Sequence, residues 1–232
     1  MLFSNSIQFV ALVSSALTFS TVLAVAPVTA QASQVREATS AATLYRQGNT
    51  HLNQGNFQAA IDSFTQAVEM NPEFAEAYSD RGLAYAAMGD YDRAIEEFRQ
   101  AVAVDANHVE AYARWGTALA ALGDLEGAIG QFNAALNQDS TFTEVYYNRG
   151  LAHYSLSNYQ QSVNDFTQVV EMVPSFAPAY GRRGLAYNAM GNQASAIADL
   201  EQAASLFQQQ GDQVGYQQSL EMIEIIRQHN DS

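Results

Sequence analysis

Four histidines and twenty-four carboxylates are the side chains of this sequence that could do acid–base or metal chemistry. His51 and His153 each stand three residues after a glycine, in a slot that holds Tyr85 and Tyr187 elsewhere, and so read as packing residues between helices. His108 falls in a turn and His229 in the tail, and no pair has the i, i+4 spacing of a helical metal site. Among the carboxylates, Asp90, Asp92, Glu96 and Glu97 read as solvated faces near a helix start, and none sits in an apolar run that would shift its pKa. There is no cysteine, which excludes a thiol nucleophile, a disulfide, a thiolate metal site and a lipidated cysteine. There is no lysine either, which removes Schiff-base chemistry and the lysine of a phosphate loop. No nucleophile motif or glycine-rich phosphate loop appears. The sequence therefore points away from an enzyme and calls for no cofactor and no metal.

The remaining charge points the same way. All ten basic residues are arginines, scattered along a chain of net charge −14, so a phosphate backbone would be repelled and no nucleic-acid partner is expected. With 48% apolar and 15% charged residues in 232, the chain has the composition of a folded protein.

The elements that hold these residues repeat. Gly48, Gly82, Gly116, Gly150 and Gly184 are each 34 residues apart. Other columns keep step with them: small residues at Ala60, Ala94, Ala128, Ser162 and Ala196, and large apolar ones at Phe64, Phe98, Phe132, Phe166 and Leu200. Ala67, Ala101, Ala135, Val169 and Ala203 follow, and Leu44, Tyr78, Tyr112, Tyr146 and Tyr180 precede each glycine. Tyr78, Gly82 and Tyr85 share one helical face, and Ala94, Phe98 and Ala101 share one on the next helix. Small residues let the two backbones approach, the phenylalanine fills the gap, and stacking of neighbouring pairs is obligatory. Gly55-Asn56, Gly89-Asp90, Gly123-Asp124 and Gly191-Asn192 place a glycine at the end of each first helix and a capping residue before the second. Ser157-Asn158 keeps only the cap. Asn107, Thr141 and Ser175 are candidate caps of the following first helices.

These columns resemble the signature of the tetratricopeptide repeat family, with Pro72 and Pro174 in its proline slot and Arg81, Arg149 and Arg183 where the family often has leucine. The Arg-Gly pairs are similar to repeats of cyanobacterial and plastid members. The resemblance implies an all-α fold, a right-handed α-solenoid of five helix–turn–helix units (41–74, 75–108, 109–142, 143–176 and 177–210), closed by a C-terminal capping helix and tail over 211–232. In that last segment Tyr216, Leu220, Ile223 and Ile226 form an apolar stripe and Asp212 is a candidate cap. Met222 and Ile225 widen it, which leaves room for a homodimer.

The resemblance also places a partner. First helices of such arrays line a concave groove, which here would present Tyr45, Asn49, Asn53, Leu83, Thr117, Tyr147, Leu151, Tyr154, Leu185 and Asn188. Arg46, Arg114, Asn148 and Arg182 would lie at its edge. Glu76, Glu110 and Glu144 recur near helix starts, where they interact favourably with the helix dipole. Because lysine is absent, the family's chaperone-tail clamp is not expected. The reading is a non-catalytic scaffold for a peptide or protein with apolar anchors and some positive charge, or, in the alternative, a self-associating one.

Residues 1–30 carry no charged side chain and end in Ala26-Pro27-Val28-Thr29-Ala30, the pattern of a secretory signal cleaved after Ala30. Residues 31–40 would be a linker. An uncleaved segment over residues 7–28 would instead anchor the chain in a membrane. Both readings export the repeats to a periplasm, thylakoid lumen or exterior, where the expected role is assisting the assembly of an envelope or thylakoid complex.

Overall fold

The glycine column has a direct structural cause. A Cβ added at Gly48 would lie 2.5 Å from the ring of Phe64, and one at Gly82 would lie 2.7 Å from Phe98. Gly150 faces Phe166 at 2.9 Å, and Gly184 faces Leu200 and the carbonyl of Ala196 at 3.1 Å. Each glycine thus leaves a recess into which the residue sixteen positions later inserts. Phe64, Phe98 and Phe166 are almost fully buried, which contributes roughly 1.5–3 kcal/mol each. The small column closes the same crossing. Ala60, Ala94 and Ala196 have no exposed surface, and Ser162 fits because its Oγ donates to the Gly150 carbonyl at 2.9 Å.

The computed structural model describes residues 28–228, with side chains from Ser40 onward. The described residues are all-α, in eleven helices, and divide into two compact units. The first, up to Leu122, contains α1 (Val28–Asn53), α2 (Phe57–Met70), α3 (Ala75–Ala87), α4 (Tyr91–Val104) and α5 (Val109–Ala121). The second, from Gly123, contains α6 (Leu125–Gln138), α7 (Thr143–Ser155), α8 (Tyr159–Met172), α9 (Ala177–Ala189), α10 (Gln193–Gln210) and α11 (Gln213–Gln228). Within each unit consecutive helices pack on one another, as the repeat requires.

Several local expectations are revised. Residues 31–40 are helical rather than a linker, because this glycine- and proline-free stretch continues into α1. The signal or anchor segment lies outside the described residues apart from Val28–Ala30, and no described helix is long and apolar enough to cross a membrane. Asp90, Asp124, Asn192 and Asp212 cap their helices through backbone N–H groups at 2.9–3.2 Å. Asn56 and Asn158 make no such bond. The first helices are not capped by Asn107, Thr141 or Ser175. They start after Phe74, His108, Phe142 and Phe176, and Asn71, Asp105 and Asp139 instead fold the preceding turn by accepting from the backbone N–H two residues on.

The arginines in the leucine slot form a repeated device that the sequence reading left unexplained. Arg149 Nε and Nη2 donate to the two carboxylate oxygens of Asp165 at 2.9 and 2.6 Å, while its Nη1 reaches Asn133 at 2.6 Å. Arg183 does the same with Asp199 at 2.7 and 2.8 Å and with Thr167 at 3.1 Å. Arg81 pairs with Glu97 at 2.8 Å and donates to Thr65 at 3.0 Å. Each guanidinium also lies over the tyrosine three residues earlier, 5.4–5.5 Å from the ring centroid. One side chain thereby ties a first helix to the second helices on both sides. Burial still pushes the Glu97 carboxyl up, despite the Arg81 pairing.

At the C-terminal end α10 runs through Gln208, where a proline would have stopped it, and ends at Gly211 with φ +78°. The face that α11 buries is rotated from the expected stripe. Gly215, Ser219, Ile223 and Ile226 turn inward, and Leu220 is exposed. Gly215 sets the rotation, since a Cβ there would meet the Phe207 ring at 2.6 Å.

Candidate functional site

The residues expected to line a groove fall into two sets, one in each unit. In the first unit, Tyr45 on α1 donates its hydroxyl to Asp80 Oδ2 on α3 at 2.7 Å. Arg114 on α5 donates Nη1 to Asp80 Oδ1 and to Ser79 Oγ, both at 2.7 Å. Three successive first helices are therefore linked through one carboxylate. Burial and the Asp80 charge push the Tyr45 phenol well above the usual tyrosine range, so it stays a donor. Its ring also packs on Phe64 and Phe74, with centroids 5.7 and 4.8 Å away. Arg114 is thus engaged rather than an available edge charge. Thr117 is also engaged, donating back to the Ala113 carbonyl at 3.0 Å. Leu83 and Asn49 are half-buried, Asn53 is exposed, and Arg46 is exposed beside Thr43. Asp80 is the residue that sequence reasoning missed. Its signal was positional, because it puts a carboxylate in the repeat slot that holds Arg46, Arg114 and Arg182, and Asn148, elsewhere.

In the second unit, three expected groove residues belong largely to the core. Tyr147 is 9% exposed, with its ring 5.6 Å from Phe166 and 5.3 Å from Phe176. Leu151 and Asn148 are buried as well, and the Asn148 Oδ1 has no hydrogen-bond partner among the described residues. Phe176, at the start of α9, packs against this cluster as Phe74 packs on Tyr45 in the first unit. Tyr154 is half-buried against Tyr159, at 5.4 Å, and burial raises its phenol. Arg182, Leu185 and Asn188 are half-buried on α9. A cavity of about 160 Å³ opens among α7, α9, α10 and α11, lined by the edge of Tyr147 with Arg182, Leu185, Leu200, Phe207 and Gln218. It brings Tyr147, Arg182 and Leu185 together, with α10 and α11 supplying walls that the sequence reading did not assign.

His51 and His153 are half-buried with their Nδ1 atoms unpartnered among the described residues, and burial pushes the His153 imidazole down, which favours its neutral form. Among the described residues no group of three His, Asp or Glu side chains could hold a metal ion. What the arrangement offers chemically is contact surface: apolar walls, hydrogen-bonding groups and the Arg182 guanidinium, whose charge acts on Tyr154.

Stacked helix pairs with this crossing chemistry define a helical-repeat interaction protein. The Tetratricopeptide repeat family model matches residues 45–101 and 147–211, more than half of the chain, and a second TPR repeat model matches 82–123 and 116–157. The chain belongs to the tetratricopeptide repeat family, whose members are generally protein-binding scaffolds rather than catalysts. None of the curated proteins matches it in sequence. Among solved structures it is similar to MamA from Desulfovibrio magneticus RS-1, at 19% identity over 74% of this chain and 97% of that one, with a TM-score of 0.69. It is also similar to YrrB, described as a TPR protein with an unusual peptide-binding site, at 19% identity, 85% and 98% coverage and a TM-score of 0.68. The first TPR of Spaghetti, bound to the HSP90 peptide SRMEEVD, shares 26% identity over 52% of this chain and 95% of its own, with a TM-score of 0.51.

Proposed function

We propose that the chain holds a segment of a partner protein along its first helices, and that in an exported location it assists the assembly of an envelope or thylakoid complex. The observation that carries the reading is the cavity on the second unit, where the half-buried Leu185 and Phe207 and the buried Leu200 converge with the polar Arg182 and Gln218. Peptides occupy related repeats in other family members, as in the Spaghetti complex. The first unit supports a narrower role, because Asp80 and Asn49 already engage Tyr45, and Asp80 also engages Arg114, which leaves Leu83 and Asn53 as its contact surface. Leu83→Arg combined with Leu185→Arg would place charge on both first-helix surfaces while leaving the buried crossings intact. Co-purification from envelope fractions should then lose the partner that the unaltered chain retains. Undiminished capture by that variant would move the site away from these helices.

A further inference from the structure

Each unit carries an imidazole in the repeat slot that holds Tyr85, Leu119 and Tyr187 elsewhere: His51 on α1 and His153 on α7. Both bury an Nδ1 that has no hydrogen-bond partner among the described residues. A neutral ring tolerates this, because that nitrogen can be the acceptor and only a lone pair goes unmet. A protonated ring does not. Both nitrogens are then donors, and a charged N–H is left without an acceptor.

The two histidines differ in their neighbours. His153 lies four residues after Arg149, on the same face of α7. That face meets Asp165 on α8, whose two carboxylate oxygens already accept from Arg149 at 2.9 and 2.6 Å. Asp165 and Arg149 are also the charged groups that act on the His153 ring. α6 and α9 pack on α7 as well. Of these, α9 brings Arg182 and Arg183 and no acid, and α6 brings one acid, Glu126, in its first turn; none of the three acts on the ring. Burial disfavours the charged ring, and the attraction of Asp165 does not offset it. In the first unit the corresponding positions are Gln47 and Ser63, so His51 meets no charged pair there.

We propose that His153 makes the α7–α8 pair an acid-sensitive joint, in which a proton on the ring sets two cations against the single carboxylate of Asp165 and releases α7 from α8. The inference is independent of what the first helices bind. Opening brings Nδ1 into water, where the ring takes a proton at its ordinary value of about 6.5. The open form thus binds a proton that the closed form resists. The joint keeps its full stability above that value and weakens as the pH falls below it. Because α7 also carries Leu151 and Tyr154, acid reaches the first-helix surface of the second unit.

Hydrogen exchange of the full chain at about pH 7.5 and about pH 5.5, corrected for the intrinsic rate at each pH, tests the joint. Opening of α7 and α8 should rise about tenfold at the lower pH, the factor for one proton taken up one unit below the ordinary value. His153→Tyr installs the residue that fills the same slot at Tyr85 and Tyr187, and should abolish the rise while keeping the fold. Should that variant not fold, His153→Gln carries the same comparison. The Cε1–H of His153, followed by NMR, should titrate below the ordinary histidine value. No rise in the unaltered chain, an equal rise in a folded variant, or a ring titrating at or above its ordinary value would overturn the proposal.

Discussion

Asp165→Ala is the sharpest probe of the arginine device, because it deletes one half of a bidentate pair and touches no apolar contact. Asp165 is 5% and Arg149 19% exposed at the side chain, so the charge left behind is mostly out of water. Removing one partner of a fully buried pair costs about 3–5 kcal/mol. Here Arg149 keeps Asn133 at 2.6 Å and the Tyr146 ring, and retains some solvent, which reduces the penalty. A loss of about 2–3 kcal/mol is expected, combining two charge-assisted bonds with partial desolvation. For a chain of this length that is a fall in Tm of roughly 4–12 °C. Arg149→Met together with Asp165→Ala should recover about 1–2 kcal/mol of it, since no unpaired charge remains. Urea unfolding followed by circular dichroism gives the cycle, and hydrogen exchange should locate the loss in α7 and α8, because repeat arrays open locally. If Asp165→Ala is neutral, or the double variant is simply additive, the pair is a surface ornament and the burial argument is wrong.

Other consequences are simpler to check. Ser157, with φ 61°, is the one described non-glycine residue in left-handed backbone and fills the slot held by Gly55, Gly89 and Gly191, so Ser157→Gly should stabilise the fold by about 1 kcal/mol in the same urea assay. Tyr147→Ala should cost about 3 kcal/mol because the ring sits between Phe166 and Phe176. A folded, fully stable variant would return Tyr147 to the set of free groove anchors. A hydrogen bond from His108 holds the Glu110 carboxyl at about 2, down from 4.5. With the folded pKa depressed, its stabilising contribution is complete above pH 4.5 and disappears as the pH falls toward 2. In His108→Ala the Glu110 side-chain carboxyl, followed by NMR, should titrate near its ordinary value, and an unchanged midpoint would contradict the assignment.

The helix pairs were legible because each column has one physical task that a single residue type performs. A glycine opposite a phenylalanine sixteen positions later is such a column, and the 2.5–2.9 Å at which an added Cβ would meet the ring explains why it repeats in Gly48, Gly82 and Gly150. The arginine device was equally present in the sequence. Arg81, Arg149 and Arg183 are each followed sixteen residues later by Glu97, Asp165 and Asp199. Where the arginine is replaced, by Gln47 or Trp115, the acid is replaced too, by Ser63 or Gln131. That pairing passes unnoticed when each column is considered separately. The groove was less legible because exposure at a given repeat position depends on what the next unit brings. Tyr45 and Tyr147 share a slot and both pack on the next unit's phenylalanine, Phe74 or Phe176, yet the next first helix gives Tyr45 a carboxylate at Asp80 where it carries Arg182 beside Tyr147. The rotation of α11 was hidden for a related reason. Nothing in the sequence marks Gly215 as a packing position, and only the close approach of the Phe207 ring shows which face must turn inward.

The central claim is that the first helices, and not the second, meet the partner. A photo-crosslinking amino acid placed in turn at Leu83, Leu185 and Asn188 on first helices, and at the exposed Gln66, Gln100 and Gln168 on second helices, tests it directly in the full chain. Crosslinks to one partner band from the first three positions and none from the last three are expected. Adducts concentrated at the second-helix positions, or distributed evenly over all six, would contradict it.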